Sequence, residues 1–204
     1  MKKARKNNYS ASLTAESFLY DETRTLAEFL SEGVEAETII KRNLAENLIA
    51  CKRPGALKRL NLILSNRLDE ISDKLIEPFL NNDINNSRII LLYIICKTDK
   101  LVRDFVLDVY SDKLITRADR LVRVDIEKYF EKVCEVEPKM LEISDTSKAK
   151  IKSVLARLLT AAGLLEKINN DEFRIIRPVI SEFTKQSIQK DGGDDFLKAI
   201  GAIL

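Results

Sequence analysis

Residues 16–72 read ESFLYDETRTLAEFLSEGVEAETIIKRNLAENLIACKRPGALKRLNLILSNRLDEIS, and the spacing of their apolar residues decides the fold. Phe18, Leu19, Leu26, Phe29 and Leu30 recur at helical intervals and predict a first helix over 16–31, which Gly33 ends. A shorter helix follows from Glu35, with Ala36, Ile39, Ile40 and Leu44 on one side. The loop from Asn47 to Arg53 leads to Pro54, a residue suited to a first helical turn. Leu57, Leu60, Leu64, Leu68 and Ile71 form the inward stripe of a third helix, whose outward side carries Lys58, Arg59, Asn66 and the apolar Leu62. Three helices with a short first turn and a basic third helix make a helix-turn-helix pattern.

From Lys41 to Arg67 there are seven basic residues (Lys41, Arg42, Lys52, Arg53, Lys58, Arg59, Arg67) against one acid, Glu46, a local balance of +6. Phosphate binding needs such a stripe, because each neutralised phosphate releases counterion. The plainer explanation is the solvated outer face of any amphipathic helix. Trihelical units also serve as protein-protein modules.

The 204 residues suffice for one large domain or two small ones. A hydrophobic share of 45% with 32% charged residues describes a core-forming chain. Only 6 Gly and 4 Pro, with 3.6-residue periodicity, favour a predominantly all-α fold. Net charge is +2, so any electrostatic function rests on local patches. The longest apolar run, Ile89–Cys96, is far shorter than the roughly 20 residues of a membrane span. No apolar signal core follows the basic N-terminus. The expectation is a cytoplasmic protein without membrane contact. Histidine is absent, which removes histidine-dependent triads and most zinc sites. Neither a GxxxxGK[ST] nor a GxGxxG motif occurs. Cys51, Cys96 and Cys134 lie far apart, the last two in apolar positions. These features argue against an enzyme and call for no cofactor or metal.

Along the chain, residues 1–8 are a basic tail, read as solvated, with phosphate or minor-groove contact as the alternative. Pro78 and the run Asn81–Asn86 predict a loop over 76–86 and a boundary between an N-terminal domain, 1–86, and a C-terminal domain, 87–204. Ser87 is the expected N-cap of a helix apolar all round, with a strand as the competing assignment. Leu101, Val102, Phe105, Val106 and Val109 predict a helix over 99–110. Residues 111–122 read as a connection with a short helix, and Arg117, Arg120 and Arg123 recur along it. A helix over 124–135 precedes Pro138.

Ser144 or Asp145 caps a helix to about Ala162, with Ile151, Val154, Leu155, Leu158, Leu159 and Ala162 inward. Lys148, Lys150, Lys152 and Arg157 face no acid between Thr146 and Leu165, a balance of +4. Gly163 ends that helix, and strands over 165–168 and 173–176 flank a turn at Asn169–Glu172. Helix, glycine and hairpin form the ending of a winged helix-turn-helix, with Lys167, Arg174 and Arg177 on or near the wing. The alternative is a hairpin that only closes the core. An amphipathic helix with Val179, Ile180, Phe183 and Ile188, a Gly192-Gly193 break and a short terminal helix follow.

An ordered set of residues carries a resemblance. It comprises Tyr9, Glu22-Thr23-Arg24, Asn47-Leu48, Arg53-Pro54, Lys58-Arg59, Arg67-Leu68, Leu92-Tyr93, Phe105-Val106, Thr146, Leu155, Gly163-Leu164-Leu165 and Pro178. In that order the sequence resembles the BrxA family of accessory proteins from BREX bacteriophage-exclusion systems. The resemblance implies an all-helical protein with a helix-turn-helix in each terminal half, the two forming a basic arc on double-stranded DNA. It implies action beside the methyltransferase and ATPase-like components of an island that methylates host DNA and blocks phage replication. It supplies no catalytic residues.

The expected function is therefore non-catalytic double-stranded DNA binding within a BREX defence system, with weak sequence preference. Lys52, Arg53, Lys58, Arg59 and Asn66 are the first unit's candidate contacts; Lys148, Lys150, Lys152, Arg157 and Arg174 are the second's. The rival readings are an adaptor docking other BREX proteins and a transcriptional regulator of the defence operon. With no clear dimerisation helix, a monomer is expected.

Overall fold

Arg67 decides how the chain enters its first helix. The computed structural model describes residues 8–11, 13 and 17–203. Residues 1–7 of the basic tail and the proposed helix start at Glu16 lie outside those residues. The first helix, α1, is Tyr20–Ser31. Phe18 and Leu19, expected to be helical, precede it, with Leu19 in the left-handed region at φ 49°. The Arg67 guanidinium donates to the carbonyls of Ser17 and Phe18, holding both outside the helical ladder.

Helix α2, Ala36–Glu46, follows the left-handed Gly33. Helix α3 is Pro54–Leu68, and Pro54 opens it as expected. Two sequence expectations change here. Leu44 is exposed, and Asn43 takes the inward position instead. Its amide donates to the Asn61 side chain, whose own amide donates to the Ile40 carbonyl at 3.2 Å. Arg67 is not part of an outward basic stripe but fully buried.

The loop expected over 76–86 is largely a helix, α4 (Asp73–Asn81), with Pro78 inside it. Proline costs one backbone bond, but this face buries Leu75, Pro78 and Phe79. Arg24 completes the helix end by donating to the Leu80 carbonyl at 2.6 Å. Helix α5, Ile84–Thr98, is capped by Asp83, which accepts from the amides of Asn85 and Asn86. Ser87, the expected cap, is buried inside it. Ile89 to Cys96 are all buried, so α5 is the central rod and the helical assignment holds over the strand. The expected division at 86/87 falls in its first turn. Around α5 lie α3, α4, the short helix that follows α5 and two helices from the C-terminal third of the chain.

Asp99 caps α6 (Lys100–Asp104), which runs through a π-turn, Phe105–Tyr110, into α7 (Ser111–Ile115). Strand β1, Arg120–Val122, is absent from the sequence reading. Helix α8 is Arg123–Val136, and Pro138 ends the pattern in a short 3-10 turn. Ser144 caps α9, Asp145–Ala161, and every residue of its expected inward stripe is buried. Strands β2 (Leu165–Lys167) and β3 (Glu172–Ile175) form the expected hairpin. The sheet is antiparallel in the order β1-β3-β2, so β3 is central. Helices α10 (Glu182–Lys190) and α11 (Asp194–Ala199) finish the described chain. Val179, expected within α10, precedes it and is 91% exposed. A Cβ on Gly193 would run into the Ile188 side chain and stand 2.7 Å from the Tyr93 ring, so the turn into α11 fits tightly between α10 and α5.

The architecture is predominantly α-helical with one small sheet. One buried cluster runs from Leu13 to Ile200. Among the described residues, no helix is long and apolar enough to cross a membrane.

Candidate nucleic-acid interface

Two surfaces carry the candidate residues. The first is the outward side of α3. Its apolar side chains and the buried Asn61 and Arg67 face inward, so Gly55, Lys58, Arg59 and Leu62 are left exposed, with Asn66 half-buried beside them. Lys52 and Arg53 are exposed just before the helix. None of these four cations is in an ion pair among the described residues. No acid lies within α3. The other basic residues of the +6 stretch are engaged. Lys41 pairs with Glu37 at 2.7 Å and Arg42 with Glu46 at 3.4 Å, and Arg42 also stacks over Phe29. The free charge of the unit is thus concentrated at the start and outer face of α3.

The second surface is a cleft of about 520 Å³ between α8, α9 and the β2–β3 hairpin. Arg123, Lys152, Arg157 and Lys167 line it with Asn170 and Phe173, and no carboxylate is in the lining. Glu127, outside it, pairs with Arg123 at 3.2 Å and with Lys152 at 3.9 Å. Asp171 at 3.3 Å and Glu127 both push the Arg123 guanidinium pKa up.

The structure brings together only some of the sequence candidates. Lys152 and Arg157 line the cleft. Lys150 is exposed on α9, two turns before Arg157 on the same side. Lys148 pairs with Asp145 at 3.5 Å and borders a different depression of about 350 Å³, with Phe130, Cys134 and Leu141. Arg174 lies opposite Arg120 and Glu166 in the strand register, with Phe173 as its chain neighbour. Alternation therefore points it to the sheet face away from the cleft, where it pairs with Glu166 at 2.8 Å. Lys167, opposite Phe173, faces the cleft instead. Arg123 was legible only as one of three recurring arginines. Its place at the cleft depends on β1, which turns the chain into α8.

Burial pushes the Cys96 and Cys134 thiols up, disfavouring thiolates. Among the described residues, no group of three or more Cys, Asp or Glu stands in metal-ligating arrangement.

Comparison with known proteins agrees with the fold. The BrxA family model matches residues 7–192. The BREX protein BrxA of Bacillus cereus (strain H3081.97) is 25% identical over 173 residues, 85% of this chain and 86% of that one. A crystal structure of an uncharacterized protein from Magnetospirillum magneticum superposes with a TM-score of 0.78 at 21% identity. That alignment covers 95% of this chain and 98% of the other.

Proposed function

The chain belongs to the BrxA family, and on that premise we propose that it is a non-catalytic, double-stranded DNA-binding component of a BREX anti-phage defence system. The observation that carries the reading is the cleft between α9 and the hairpin, lined by four cations and no carboxylate. The order of elements around it supports the same reading. Helix, β1, α8, α9, β2 and β3 follow one another as in a winged helix-turn-helix, with α9 as the groove-facing helix and β2–β3 as the wing. Lys152, Arg157 and Lys167 then contact phosphates, and Lys150 extends the track along α9. In the N-terminal half, α1 to α3 form a second helix-turn-helix, with Lys52, Arg53, Lys58 and Arg59 toward the backbone. Most of these groups are point charges, which position DNA without specifying sequence. Overall specificity is weak, and the protein acts as a cytoplasmic monomer.

Fluorescence anisotropy with unrelated duplexes tests this reading. Affinity should fall by about 10³-fold or more between roughly 50 and 200 mM salt. Lys58→Glu/Arg59→Glu and Lys150→Glu/Arg157→Glu, each folded by circular dichroism, should both weaken every duplex. Absence of binding at low salt sinks the proposal.

The adaptor reading has its own observation. The depression beside Phe130, Cys134 and Leu141 is largely apolar, and Leu141 is exposed. A partner helix of another BREX protein would fit there, and a Leu141→Glu variant should then lose that partner but keep DNA.

A further inference from the structure

Leu62 is the one large apolar side chain on the outward face of α3, 55% exposed amid Lys58, Arg59 and Asn66. Positions 55, 58, 59 and 62 share one face by the i, i+3, i+4, i+7 spacing of a helix laid in the major groove, where Lys58 and Arg59 reach the flanking phosphates and Leu62 reaches the base edges. A Cβ at Gly55 would meet nothing within 4 Å, so no packing inside the protein calls for a glycine there. Its bare backbone leaves room for close approach at the first turn of the helix. The cations flanking Leu62 stand without carboxylate partners among the described residues, so the face complements an anionic surface such as a polyphosphate backbone rather than a basic or wholly apolar one. The side chain of Asn66, one turn on, makes no hydrogen bond among the described residues and keeps its amide available.

We propose that α3 enters the major groove with Leu62 against the C5-methyl group of thymine. Leu62 is thereby the specificity-determining residue of an otherwise backbone-directed protein. Thymine offers the only methyl in the major groove of unmodified DNA, and apolar side chains recognise it by contact. An amide such as that of Asn66 suits the donor and acceptor edge of adenine, so the local preference is for A·T pairs. This inference rests on the DNA-binding reading and sharpens it. A weak overall specificity coexists with a methyl-sensitive contact in one of the two units.

The test uses the full chain and three pairs of duplexes of equal length: A·T against G·C, thymine against deoxyuridine, and 5-methylcytosine against cytosine. The wild type should bind the thymine duplex about fourfold tighter than its deoxyuridine counterpart, as burial of one methyl group gives. The 5-methylcytosine duplex should gain by a similar factor, because its methyl occupies the same groove position. Leu62→Ala should level both differences, the ratio within each pair of duplexes being the readout. Because Leu62 is exposed, the variant keeps its fold, which its thermal midpoint verifies. Equal wild-type affinity for thymine and deoxyuridine, with salt-sensitive binding intact, overturns the methyl contact and leaves Leu62 a protein-contact residue. Discrimination that survives Leu62→Ala overturns the assignment to this residue. No binding of any duplex at low salt overturns the DNA-binding reading itself.

Discussion

The helices α3 and α9 both turn cations outward, but the units that hold them are built on opposite principles. Beneath α9 lies an apolar stripe of Ile151, Val154, Leu155, Leu158 and Leu159. Its outward cations are tempered by carboxylates, Lys148 by Asp145 and Lys152 by Glu127. Beneath α3 the frame is partly polar. Arg67 ties it to the entrance of α1, and the Asn43–Asn61 pair ties it to α2. Its outer cations stand unpaired. An apolar frame tolerates small slippage, whereas bonds to particular carbonyls fix one orientation. The unit with the bare charges is therefore also the one with the more directional scaffold.

The contrast breaks first if the frames are not what they look like. Leu155→Ala should cost about 2–5 kcal/mol through the cavity it leaves. Arg67→Ala should cost about 3 kcal/mol or more, because it empties a fully buried site and strips two half-buried carbonyls of their donor. Chemical denaturation measures both, and a cost below about 1 kcal/mol for Arg67→Ala would remove the polar frame from the account. Asn43→Ala should cost about 2 kcal/mol, since it leaves Asn61 and the Ile49 amide partly unsatisfied. Replacing Asn43 and Asn61 together by leucine should recover part of that loss in the same denaturation series.

The seam between the halves gives the next effect. Although burial alone would raise it, hydrogen bonds from Lys97 and Ser72 hold the Asp191 carboxyl below its usual range. A depressed carboxyl stabilises the fold above its unfolded pKa, and that contribution is lost as pH falls through the folded value. Asp191→Asn should therefore lower stability at neutral pH by about 1–2 kcal/mol. The gap to wild type should close below about pH 4, read as thermal midpoints across pH. The smallest effect sharpens the electrostatic side of the contrast. Glu127→Gln removes the carboxylate shared by Arg123 and Lys152, leaving Arg123 with Asp171, and should tighten duplex binding about two- to fivefold without changing the fold.

Periodicity made much of this legible. The all-round apolar character of α5, the stripe of α9 and the hairpin after Gly163 follow from local spacing, and the structure places them there. Arg67 and Asn43 did not, because their inward turn depends on carbonyls and an amide distant in the sequence. A basic residue at an outward-looking count is indistinguishable from a surface one until its partners are known. Helix α4 was hidden by Pro78, whose loss of one bond is local while the burial of Phe79 against α1 is not. The cleft was half legible. Lys152 and Arg157 share a helix, but Arg123 and Lys167 join them only through the pairing of β1 and β2 with β3. That pairing also turns Arg174 away, a consequence of two-residue alternation that no charge count contains.

The Asp191 carboxylate accepts from Ser72, Tyr93 at 3.0 Å and Lys97 at 2.8 Å, and Lys74 donates to the Lys190 carbonyl. The turn into α4 is thus completed by residues translated more than a hundred positions later. At ribosomal speeds of roughly 5–20 residues per second, that delay is on the order of ten seconds. During the interval the hydroxyl of Ser72 and the ammonium group of Lys74 are left to water, while Lys97 keeps only its contacts with Glu70. The first helices of the nascent chain therefore wait half-closed for the sequence that will seal them.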